Sequence, residues 1–222
     1  MSFFNDRIST LALVSSCQML GSGLQALVDS NSELRLSWIR SSCESVSGSL
    51  FVERIDLLIF ALHVHQSELF YRMRLLRTLH TAYPDLRILV IVDVHVSYLI
   101  SQLREWGLEY VVSLAMPLCE WSKSINAVIR SDSIIAYNKF NHKLMMPLSP
   151  AELCVLRFLI RGIMIDDIAK EMMRCIKTIQ AHKITIMKKI GIKNDAQFIA
   201  MRSIIIDRMN EQGEGICYRM VK

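Results

Sequence analysis

The chain has 222 residues, of which 52% are hydrophobic and 21% charged, with a net charge of +5. That length fits one large domain or two small ones, and that composition excludes an intrinsically disordered chain. The charge is uneven: residues 1–144 carry 13 basic and 13 acidic side chains while residues 145–222 carry 13 and 8, which points to a polyanion-binding module at the C-terminal end.

Apolar runs such as "ILVIV" are too short to span a bilayer. The opening "MSFFNDRIST" lacks the apolar core of a secretory signal. The six cysteines, at positions 17, 43, 119, 154, 175 and 217, form no CxxC pair. The reading is a reduced, cytoplasmic protein with ordinary buried thiols.

In chain order, "STLALVSS" reads as a strand and "QMLGSGLQALVDS" as a helix. "LRLSWI" is strand-like and is followed by the Ser-rich "RSSCESVSGS", to which no element is assigned. "RIDLLIFAL" is an apolar run of the buried-strand type, and "SELFYRMRLLRTLHTAY" has helical period up to Pro84. "LRILVIV" is a further buried strand, "SYLISQLREWG" a short helix ending at Gly107, and "LEYVVSL" a fifth strand. "PLCEWSKSINAVIR" opens with Pro117 at a helix start. Five apolar strands alternating with about five helices imply a doubly wound parallel (βα)5 sheet covered on both faces, over residues 1–130.

Residues 131–147, ending in Pro147, are polar and aperiodic and read as a linker. Residues 148–210 show no strand signal and read as a four-helix, all-α module, with 211–222 as a tail. Ser149, Pro150 and Glu152 spell a capping box, and Gly162 ends the helix they start. "IDDIAKEMM" is a short second helix. The third follows a turn at Arg174–Cys175 and stops at Gly191, and "NDAQFIAMRSIIIDRM" is the fourth. A short helix, a turn and a longer basic helix are the layout of a helix-turn-helix. On the third helix Ile179, Ile186 and Ile190 share one face, while Lys177, Gln180, Ala181, Ile184 and Lys188 form a roughly opposite stripe. Cations beside amide and small apolar side chains suit a major groove of double-stranded DNA. His182 lies near the inner face and reads as a packed imidazole.

Leu148-Ser149, Glu152, Val155-Leu156, Gly162, Asp167–Ala169, "KTIQAH" and "KKIGIKN" together resemble the LuxR-type helix-turn-helix of bacterial transcription regulators, over roughly 60 residues. The resemblance implies that Gln180, Ala181 and Ile184 face bases and that Lys177, Thr178, Lys183 and Lys188 contact phosphates. It gives Glu152 a structural role, at helix ends or beside a basic neighbour. Three positions depart from the family: Cys175 stands where a capping Ser is usual, Asp167 replaces a Glu, and Gln180 replaces a frequent Lys.

A (βα)5 domain ahead of such a module resembles the two-component response regulators. Their receivers hold Mg²⁺ with acids after the first strand and take phosphate on an Asp at the end of the third. A hydroxyl and a Lys end the fourth and fifth strands. Here Ser15, Ser16 and Cys17 follow the first strand, and Ala61 stands at the phospho-acceptor position. Val92 takes the hydroxyl position, with Asp93 next, and Ser113 lies near the Lys position. No acid lies within 57–67, and Asp56 belongs at the other end of its strand. The expectation is a pseudo-receiver that is not phosphorylated in the usual way, with no cofactor.

No paired carboxylates, Gly-rich phosphate loop or Ser/His/Asp set appears, so an enzyme is not expected. A metal or ligand site at His63, His65 and His95 is a minor alternative. The run of matches resembles the enterobacterial auxiliary regulators of the BglJ type. That resemblance implies a heterodimer with a response regulator of the RcsB type. A homodimer, or an antagonist that sequesters a partner without touching DNA, are the alternatives. Leu24, Leu27 and Trp121 are candidates for a partner surface, with core packing as their plainer role.

Overall fold

The computed structural model describes residues 8–63, 68–93, 97–130 and 148–211. The expected linker at 131–147, the tail beyond Glu211, and His65, His95 and His142 lie outside the described residues. The chain divides into two units, one carrying a sheet with nearly all of its covering helices and one carrying the four C-terminal helices.

The first unit runs β1 (Ser9–Val14), α1 (Gln18–Asp29), β2 (Leu34–Arg40), α2 (Val46–Val52), β3 (Leu57–Leu62), α3 (Leu69–Ala82), β4 (Arg87–Val92), α4 (Ser97–Glu105), β5 (Val111–Ser113) and α5 (Leu118–Arg130). The strands pair in the order β2-β1-β3-β4-β5, and every pairing is parallel. Parallel neighbours need crossovers, and the helices supply them while covering both faces. The apolar strand runs follow from that cover: all six residues of β3, at the centre of the sheet, are buried.

Two elements differ from the sequence reading. The Ser-rich stretch contains α2, a short helix whose buried residue is Val46 and whose Phe51 and Val52 are exposed. Its single buried contact leaves too little apolar periodicity to be seen. The fifth strand is shorter than the apolar run that suggested it. It lies at the edge of the sheet, and its register with β4 runs over Val111, Val112 and Ser113.

Leu24, Leu27 and Trp121 pack in the core of the sheet unit with Leu11, Leu13, Ile59 and Ile125. Their proposed place on a partner surface is therefore corrected: side chains that fill the core have no area left for a second protein.

Gly107 ends the α4 segment, as its position suggested, with φ +83°. A Cβ added there would stand 2.8 Å from His80 Nε2. Gly107→Ala would combine left-handed strain with that clash. Its expected effect is a loss of about 1–2 kcal/mol from the sheet unit, read as a lower urea midpoint by tryptophan fluorescence. An unchanged midpoint would contradict it.

Candidate nucleic-acid interface

The helical unit comprises α6 (Pro150–Ile160), α7 (Ile165–Glu171), α8 (Ile176–Ile190) and α9 (Asp195–Glu211). Ser149 Oγ accepts the Glu152 N–H, Glu152 Oε2 accepts the Ser149 N–H at 2.7 Å, and Pro150 takes the first helical position. The capping box read from the sequence is present, and it satisfies two donors that the helix leaves open. Arg202 of α9 donates through Nε to the Ile160 carbonyl at the other end of α6.

The turn between α7 and α8 is closed by backbone alone. Met173 has φ 50°, and the Arg174 N–H reaches the Ala169 carbonyl at 2.9 Å. This is the left-handed helix stop that glycine usually fills. A methionine there gives no turn signal in the sequence. Cys175 caps α8 without a side-chain bond to the helix amides, and its Sγ lies 3.0 Å from Thr178 Oγ1. The Thr178 hydroxyl beside the sulfur is the main influence holding the thiol below its ordinary pKa. Gly191, φ 76°, ends α8, where the Ile192 N–H reaches the Met187 carbonyl.

The helix presents the two faces expected of it. Ile179, Ile186 and Ile190 are buried, while Lys177, Gln180, Ala181, Ile184 and Lys188 are exposed. Thr178 and His182 are half-buried. Ile176, in the first turn of α8, is also exposed, which the sequence reading did not single out.

The lysines differ in what they touch. Lys189 Nζ lies 2.7 Å from the buried Glu152 carboxylate. Lys183 Nζ lies 2.8 Å from Asp195 Oδ1, and its side chain is only 22% exposed. Asp195 follows Lys183 across the Gly191 turn, so no helical spacing reveals the pair. Among the described residues no ion pair engages Lys177 or Lys188. Asn194 caps α9 by accepting the Gln197 N–H at 2.9 Å, and Gln197 accepts the Lys193 N–H at 2.8 Å. That network fixes where Asp195 stands.

The strand ends of the sheet unit are a poor match to a receiver's metal and phosphate site. Ala61 is fully buried. Ser15 Oγ accepts the Cys17 N–H, and Ser113 Oγ accepts the Ala115 N–H, so both hydroxyls close local turns. Asp56 accepts the Thr10 N–H at the opposite end of the sheet, as its place in the chain required. Asp93 lies 3.3 Å from His63 Nδ1. One carboxylate beside an imidazole does not make the oxygen-rich set that Mg²⁺ takes. Among the described residues no three metal-ligating side chains gather.

Arg72, which the sequence reading missed, is buried here. It donates through Nη1 to the Ala61 carbonyl at 3.3 Å and through Nη2 to the Ser41 carbonyl at 3.1 Å, with its guanidinium 6.0 Å from the Phe60 ring centroid. Its signal was spacing: Leu69, Arg72 and Leu76 fall on one face of α3, with Leu69 and Leu76 in the core.

Residues 146–202 match the family of bacterial regulatory proteins of the luxR type. Over 203 residues the chain is 30% identical to the transcriptional activator protein BglJ of Escherichia coli K12, covering 88% of this chain and 89% of that one. The chain belongs to the LuxR family of bacterial transcription regulators. It is also 46% identical over 48 residues to the transcriptional regulatory protein RcsB of E. coli K12, 22% of each chain. Its fold matches the structure of an RcsB–DNA complex with a TM-score of 0.73 at 20% identity, over 88% of this chain and 98% of the other. Members of this family read DNA through a helix-turn-helix, and α7 and α8 are that element here. Among the described residues no helix is long and apolar enough to cross a membrane.

Glu152 is the ionisable group most bound into this unit. The hydrogen bond from Lys189, then that from the Ser149 N–H, holds its carboxyl below the ordinary glutamate pKa. A lowered folded-state pKa gives stability that is present above the ordinary glutamate range and lost as pH falls through the lowered value. Glu152→Gln keeps the cap but removes the charge. It should cost about 1–3 kcal/mol at neutral pH and flatten the acid limb of stability. Far-UV circular dichroism in urea across a pH series checks both. An acid limb as steep as that of the unsubstituted chain would contradict the assignment.

Proposed function

We propose that this regulator binds double-stranded DNA through α8, acts without phosphorylation of its own sheet unit, and pairs with a response regulator of the RcsB type. The observation that carries the DNA reading is the exposed stripe on α8, where Lys177 and Lys188 have no acidic partner among the described residues. Gln180, Ala181 and Ile184 face base edges, and Lys177, Thr178 and Lys188 meet phosphates. Lys183 is assigned to phosphate as well, and in the free chain it leans on Asp195. Phosphate contacts set register and orientation while base edges carry specificity.

Phosphorylation independence is supported by Ala61, whose methyl group cannot form an acyl phosphate, and by the engaged hydroxyls of Ser15 and Ser113. The heterodimer is supported by similarity to BglJ over most of the chain and to RcsB over the helix-turn-helix. RcsB is described as two dimers bound to two parallel DNAs. One helix-turn-helix offers little contact, so a second half-site from a partner supplies the rest of the affinity. The domain limits proposed are 1–130 for the pseudo-receiver, 131–147 for the linker, 148–210 for the DNA-binding module and 211–222 for the tail. The place of action is the cytoplasm, on the nucleoid.

Binding of the full chain to duplex DNA should weaken steeply with salt, because neutralised phosphates release counterions. Lys177→Ala and Lys188→Ala should each lower the slope of log affinity against log salt by about 1. Lys183→Ala should change it less. A flat salt dependence would remove the DNA reading and favour the antagonist.

Mixing the chain with an RcsB-type regulator should yield a one-to-one complex by multi-angle light scattering, with no phosphate taken up by this chain from acetyl phosphate. A self-paired species alone would favour the homodimer, and incorporated phosphate would refute the pseudo-receiver.

A further inference from the structure

The exposed face of α8 has an order of side chains that says which base pairs it can read. From its first turn outward the exposed residues are Ile176, Lys177, Gln180, Ala181, Ile184 and Lys188. Lys177 and Lys188 stand 11 positions apart, roughly 16 Å at helical rise. Between them the exposed surface carries no charge. Its centre is an amide, a methyl group and a sec-butyl group, and Ile184 is 54% exposed. The two other lysines nearby are held elsewhere, Lys183 by Asp195 and Lys189 by Glu152.

Each base pair offers the major groove its own pattern. Guanine shows two acceptors and is met most often by Arg or Lys; cytosine shows an amino donor and needs an acceptor. Adenine shows one acceptor and one donor, which a Gln amide can match in a bidentate pair. Thymine alone shows a methyl group, which an apolar side chain can cover. An isoleucine pressed onto guanine or cytosine would strip water from polar atoms and leave them unpartnered.

Resting on the reading of α8 as the DNA-contacting helix, we propose that the chain reads A·T base pairs at the centre of its half-site. Gln180 pairs with adenine, Ala181 and Ile184 cover thymine 5-methyl groups, and Lys177 and Lys188 hold the flanking phosphates. Ile184 is the specificity-determining residue, because its exposed surface has no use in the helical core.

The test removes the methyl groups and nothing else. The full chain selects from a library of randomised duplexes, and the enriched duplex is remade with deoxyuridine in place of each thymine in turn. The expected result is enrichment of A·T pairs at the centre and about a fourfold weaker affinity for each contacted methyl lost, the value of burying one methyl group. Ile184→Ala should bind the thymine and uracil duplexes equally at one or more of those positions. Enrichment of G·C at the centre, or indifference of the unsubstituted chain to uracil, would overturn the base assignment while leaving DNA binding in place. Duplex binding without enrichment would overturn this inference alone, and no duplex binding with or without an RcsB-type partner would overturn the DNA reading as well. Should Ile184→Ala fail to fold by circular dichroism, the uracil series on the unsubstituted chain still decides.

Discussion

The helical unit depends on one carboxylate. Glu152 lies near the start of α6, buried, and accepts both the Ser149 N–H and the Lys189 ammonium at 2.7 Å. The first bond closes the start of α6. The second ties that start to the last turn of α8. A buried charge is tolerable only with such partners, and removing either one leaves the other costly. The pair therefore sets the orientation of α8 against α6, while Ile179, Ile186 and Ile190 supply the apolar contact. Because these inward groups fix the helix, the outward stripe is free to carry base and phosphate contacts on a rigid element. The Lys183–Asp195 pair adds a second tie, from the middle of α8 to the start of α9.

The sheet unit has a receiver's architecture with other residues at its strand ends. Its buried strands and parallel order need only apolar residues and crossover helices, and these are present. A phosphorylation site needs particular oxygens at three strand ends. Those positions hold Ser15, Ala61 and Val92, and Ser113 stands near the position of the lysine. The Arg72 guanidinium bridges the carbonyls of Ala61 and Ser41, which links the end of β3 to the segment after β2. Fold and chemistry rest on different residues, so one can be lost while the other stays.

Much of this was legible in the sequence. The five buried strands of a parallel sheet and the two faces of α8 follow from apolar patterning, which is the strongest local signal. The capping box of Ser149 and Glu152 and the stop at Gly191 follow from short-range backbone chemistry. What escaped depends on partners far apart in the chain or on a residue that breaks a local rule. Lys183 spacing says nothing of Asp195, and Lys189 stands 37 residues from Glu152, with α7 between their helices. Met173 holds a glycine's conformation without being glycine, and α2 hides in a Ser-rich stretch because only Val46 anchors it. Leu24, Leu27 and Trp121 could be read either as core or as a partner surface, and the structure gives them to the core.

The central claim is that the outward face of α8 is the surface that meets DNA. Methyl NMR of the isoleucines in the full chain, titrated with the duplex it enriches, tests this most directly. The account predicts that Ile184 and Ile176 shift strongly, that buried Ile186 and Ile190 shift weakly, and that Ile59 and Ile91 in the sheet core stay in place. Shifts confined to the sheet unit, with Ile184 unmoved, would contradict it.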